Sequence, residues 1–129
     1  MKLNASDMGV CGDLKAFYVG SVAFDTDNIS SGIEIFEAER PMAIVMAAAV
    51  VTEAFNAATT NVLTVGSDSG VSNVLGASDI TEGTAGAYGK ANFITLTKGD
   101  KVKVKYTQTG TAATEGAADI YFVVTALPE

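Results

Sequence analysis

Hydrophobic and polar positions alternate with a period of two most clearly along Asp100–Gln108, DKVKVKYTQ. Val102, Val104 and Tyr106 fall on one side and Lys101, Lys103 and Lys105 on the other, a pattern that helical spacing does not produce. The same alternation closes the chain, where Ile120, Phe122, Val124 and Ala126 share a face of Asp119–Leu127. Further strands are predicted over Leu14–Phe24, Ile33–Glu37, Val62–Val65 and Asn92–Thr97, each rich in β-branched or aromatic residues or alternating, and several bounded by turn formers. Between Asn92–Thr97 and the lysine-bearing strand, the tight Lys98-Gly99-Asp100 turn predicts a hairpin.

One stretch resists a simple period. In Met42–Phe55, MAIVMAAAVVTEAF, both period-two faces are apolar, so alternation does not separate strand from helix. Pro41 at its entry and the polar Asn56–Thr60 turn at its exit favour a strand, and apolarity on both faces predicts a central strand buried on both sides. A membrane-spanning helix needs about 20 apolar residues, and Glu53 ends this run too early. From Gly66 to Lys90 periodicity is lost, which predicts a long connection crossing between sheets, with one or two helical turns at most. Seven or eight strands, Gly-rich turns and no long amphipathic helix predict an all-β antiparallel sandwich, jelly-roll-like in preference to immunoglobulin-like. Residues 1–13 read as a flexible N-terminal arm and residues 14–129 as a single sandwich domain; the arm is either a disordered end or a segment that orders against a neighbouring subunit.

Composition narrows the function more than it names one. At 129 residues the chain is one domain, able to bury roughly two-thirds of its unfolded surface. Fifteen acidic against eight basic residues give a formal charge of −7, which opposes binding to nucleic acid or to an anionic membrane. The lone Cys11 has no partner for an internal disulfide, as expected of a protein assembled in a reducing cytoplasm, and the first residues lack the apolar core of a secretory signal. Without histidine the chain lacks the commonest general base near neutral pH, every Ser-His-Asp or Cys-His arrangement, and the commonest transition-metal ligand. Gly83–Lys90, GTAGAYGK, departs from a phosphate-binding loop at Thr84 and Ala91, and Gly66-Ser67-Asp68-Ser69-Gly70 reads as a turn. Asp25, Asp27 and Asn28 place oxygen ligands close together but lack the rest of a calcium loop. No catalytic residue, metal or cofactor is expected. The lysine stripe reads either as a solvated face that discourages edge pairing or as a basic strip meeting an acidic partner.

Three stretches carry a resemblance: Val51–Asp68, VTEAFNAATTNVLTVGSD; Ser78–Gly89, SDITEGTAGAYG; and Leu96–Glu129, which ends in DIYFVVTALPE. Together they resemble the small jelly-roll cement or decoration proteins that stabilise the capsids of tailed bacteriophages. That resemblance implies a non-enzymatic virion protein, assembled in the host cytoplasm and bound to the outer surface of the head. It would lie over junctions between major capsid subunits, acting as a homodimer or homotrimer. No fixed functional residues transfer from that group. The candidate partner contacts are therefore Met1, Lys2, Leu3, Asn4, Met8 and Val10 of the arm, with Lys101, Lys103 and Lys105 of the stripe. The alternatives are a neck- or tail-associated virion protein and a carbohydrate-binding or adhesin-like module; the latter would use Tyr18, Tyr88 or Tyr106, as there is no tryptophan.

Overall fold

The computed structural model describes residues 14–128, which form eight strands and no helix. In chain order these are β1 (Leu14–Ala23), β2 (Ile33–Glu37), β3 (Met42–Glu53), β4 (Thr60–Ser67), β5 (Gly70–Leu75), β6 (Gly86–Leu96), β7 (Lys101–Thr109) and β8 (Ala117–Ala126). They build two four-stranded antiparallel sheets, β1-β8-β3-β6 and β2-β7-β4-β5. The first strand pairs with the last, the second with the seventh, the third with the sixth and the fourth with the fifth. That nesting is one long hairpin with its apex at Asp68-Ser69, rolled up and closed by the β3–β8 and β4–β7 ladders. It is the jelly-roll arrangement of a β-sandwich. The expected N-terminal arm lies outside the described residues.

The core lies between the sheets, where alternate residues of facing strands interdigitate. Ile44, Leu96, Ile120 and Phe122 come from one sheet and Leu63, Val65, Val74, Val102, Val104 and Tyr106 from the other, all essentially inaccessible to water. Each such aliphatic or aromatic side chain contributes about 2 kcal/mol by leaving water. Phe36 meets Phe122 edge-on across the sheets at 5.7 Å, and Phe55 packs on Tyr106 at 4.7 Å. The expected inward and outward faces of β7 and β8 are those observed.

Three expectations need correction. The Lys98-Gly99-Asp100 turn exists, with Gly99 at φ 93°, but the strands it joins do not pair: β6 lies beside β3 and β7 between β2 and β4. The turn is held by Gly99 N–H donating to the Ala38 carbonyl at 2.8 Å and by Asp100 N–H donating to the Thr97 carbonyl at 3.0 Å, and the chain changes sheets there. The region 66–90 is not one connection. It contains β5 and the start of β6, and the true crossing is the loop 76–85, which has no helical turn. Finally, β3 is central, but its outward face is only partly buried. Ile44 is inward, a bulge at Val45 shifts the parity, and Ala47, Ala49 and Val51 are inward thereafter. Met46 on the other face is exposed and Ala48 and Val50 are half-buried, whereas Ala43 and its ladder partner Thr125, at the Pro41 end of that face, are buried.

Candidate interaction faces

The two outer faces of the sandwich differ in chemistry. On β2-β7-β4-β5 the lysine stripe occupies an interior strand, so it does not guard an edge. Lys101 stands opposite Glu37, Lys103 opposite Glu34, and Lys105 opposite Thr64. Lys101 Nζ reaches Glu34 Oε2 at 3.5 Å, both groups remaining close to half-exposed, so this pair contributes well under 1 kcal/mol. The stripe is thus balanced by carboxylates along β2 and bordered by the uncharged Thr60, Val62 and Thr64 along β4. Of the candidate contacts, the structure brings Lys101, Lys103 and Lys105 onto one face. Met1, Lys2, Leu3, Asn4, Met8 and Val10 lie outside the described residues.

The face of β1-β8-β3-β6 turned away from the core is apolar. Its ladders run in register across all four strands: Ala16–Val123–Met46–Ala91, Tyr18–Tyr121–Ala48–Gly89, and Ser21–Asp119–Val50–Ala87. Leu14 and Phe93 extend it, with 63% and 61% of their surface in water. Every large hydrophobic residue exposed among the described residues belongs to this sheet. Tyr18, 58% exposed, meets Tyr121 edge-on at 5.6 Å. The Tyr18 hydroxyl donates to Ser21 Oγ, which donates to Asp119, each at 2.5 Å. Sequence reasoning missed this face. The signal was present in the inward set Ile120, Phe122 and Val124, which sends Tyr121 and Val123 outward. It was obscured in β3, where apolarity on both sides read as burial on both sides.

Little else among the described residues is arranged for chemistry. Among the described residues no three carboxylate or thiol side chains converge as a metal site would require. Asp25 and Asp27 are exposed in the β1–β2 turn, where Asn28 takes φ 64°. A cleft of about 300 Å³ opens beside that turn against Thr107 and Gln108, and Tyr106 is the one titratable residue lining it. Tyr106 is buried, which removes it as a sugar platform; burial, then the negative charge of Glu82, pushes its phenol above the usual value. Asn61 Oδ1 accepts its hydroxyl at 2.6 Å. Tyr88 is half-buried, its hydroxyl donating to the Thr84 carbonyl at 2.7 Å, so of the three tyrosines singled out Tyr18 is the most exposed. Two side chains hold the 76–85 loop. Glu82, itself buried, accepts the Leu63 N–H at 2.8 Å; Asp79 accepts the Gly76 N–H at 2.6 Å and the Lys90 ammonium at 3.2 Å. The Gly76 hydrogen bond foremost, with help from Lys90, lowers the Asp79 pKa.

Comparison with solved structures finds the same fold in a chain of the cyanophage Pam1 capsid asymmetric unit. The superposition spans 99% of this chain and 94% of that one, with a TM-score of 0.69 and 20% sequence identity. No family model matches the sequence, and no curated protein matches it.

Proposed function

We propose that this chain is a non-enzymatic virion structural protein, a cement or decoration protein that binds the outer surface of a phage head. It would bind at junctions between major capsid subunits and stabilise the shell. The observation that carries this reading is the end-to-end correspondence with a chain of a phage capsid asymmetric unit, with almost nothing left over on either side. The physical requirements agree. A shell protein needs a rigid scaffold and broad surfaces, and many copies turn modest contacts into firm attachment through avidity. This sandwich supplies a rigid core and two extended faces of different chemistry, with the major capsid protein and further copies of itself as partners. The arm, residues 1–13, is proposed to add contacts to the shell.

The test is co-sedimentation of the purified protein with capsids that lack it. Saturable binding at a fixed ratio to the capsid subunits is the expected result, and removal of residues 1–13 weakens it while the sandwich stays folded. Absence of binding by the full chain, with retention on a panel of purified glycans, would overturn the reading in favour of a carbohydrate-binding module. Unchanged affinity of the truncated chain would remove the arm from the contact.

A further inference from the structure

The exposed apolar face on β1-β8-β3-β6 has a relief that fits itself. Along the ladder Tyr18–Tyr121–Ala48–Gly89, two tyrosines over β1 and β8 form a ridge, and two of the smallest residues over β3 and β6 form a trough. In the neighbouring ladders β6 again carries small residues, Ala91 and Ala87, while β3 carries Met46 and Val50. Met46 leans over Gly89, where a Cβ would come within 3.2 Å of its Cε, so a pliable thioether lies in this part of the trough and must shift to admit a partner's ridge. Rotating a second copy by half a turn about an axis parallel to the strands, between β8 and β3, lays the ridge of each copy in the trough of the other. Sheets stacked in this way sit about 10 Å apart, as the two sheets of one sandwich do.

From this relief we infer that the outer face of β1-β8-β3-β6 is the contact between copies of this chain. Area supports the assignment. Four strands spaced about 4.8 Å apart and some eight residues long cover roughly 500 Å² in plan, before side-chain relief is added. That is of the order of the ~800 Å² per partner of a standard stable interface. Charge supports it too. A chain carrying −7 repels its own copies wherever carboxylates meet, and in these three ladders Asp119 is the only charged residue. It stands at the end of the face, held by Ser21. A different acidic partner would be met on the lysine-bearing face.

The inference deepens the proposed function, resting on its reading that the chain works in several copies, yet its test needs no capsid. Sedimentation of the full chain at micromolar concentration is expected to give a mass that is a multiple of 13.2 kDa. Ala48→Glu places a charge in the trough and is expected to weaken self-association by about 100-fold or more, leaving a folded single-chain species. Should that variant not fold, Tyr121→Ser removes the ridge from an outward position without burying a charge, and the same loss of mass is expected. A wild-type protein of single-chain mass, or a folded variant that keeps the assembled mass, would overturn the inference. A chain that assembles through this face but ignores capsids would sink the virion reading alone, and one that decorates capsids as separate single copies would sink this one alone.

Discussion

At the scale of single residues, Gly116 carries more of the fold than its size suggests. It adopts φ 146°, its N–H donates to Glu53 Oε1 at 3.0 Å, and its carbonyl accepts the Phe24 N–H at 2.9 Å. A Cβ at this position would strike the Phe55 ring, which is itself wedged on Tyr106. Gly116→Ala therefore combines backbone strain with overpacking and is expected to cost about 2–4 kcal/mol. Gly83→Ala, where an added methyl meets nothing within 4 Å, is expected to be nearly neutral. Urea denaturation compares the two, and equal midpoints would refute the argument. None of this was legible in a run such as Thr114-Glu115-Gly116-Ala117, because the conflict is with a ring some sixty positions away in the chain. The buried Glu82 is hidden for the same reason: its partner is the backbone of Leu63, and an acidic residue in a Gly- and Thr-rich stretch reads as solvated.

At the scale of elements, the bulge at Val45 decides which half of β3 faces the core. With Val45 present, Ile44 and Ala47 both point inward although their numbers differ in parity. Deleting Val45 forces one half of β3 to expose its core set, because side chains alternate at every residue. Deletion is expected to cost more than about 4 kcal/mol, while Val45→Ala, which keeps the register, costs about 1 kcal/mol. Thermal melting of both variants checks this; a deletion as mild as the substitution would show that the parity change has no structural weight. Elements with a single clean period, β7 and β8, were legible from sequence. The pairing of β6 was not. A tight Lys98-Gly99-Asp100 turn looks the same whether the chain returns beside itself or crosses to the other sheet. Only the competing ladders, β6 with β3 and β7 with both β2 and β4, choose between them.

At the scale of the whole molecule, one layer of apolar side chains is sealed between two sheets whose outer faces differ, one charged and one greasy. The charged face gives a salt-dependent test of the proposed role. Replacing Lys101, Lys103 and Lys105 together with Gln is expected to weaken capsid binding several-fold and to flatten its dependence on salt, since screening acts on exposed charges at these distances. An unaltered salt response would leave the stripe as a solvated surface partly neutralised by Glu34 and Glu37. By itself the sequence determined the all-β class, the inward sets of β7 and β8, the central place of β3, and the lack of histidine-based chemistry. These follow from composition and from local alternation, which each strand carries within itself. Tertiary structure alone decided which turns are hairpins, where β3 changes parity, and that an apolar surface faces outward across four strands. These depend on pairings between residues far apart in the chain, and a face shared by β1, β8, β3 and β6 exists only once those strands lie side by side.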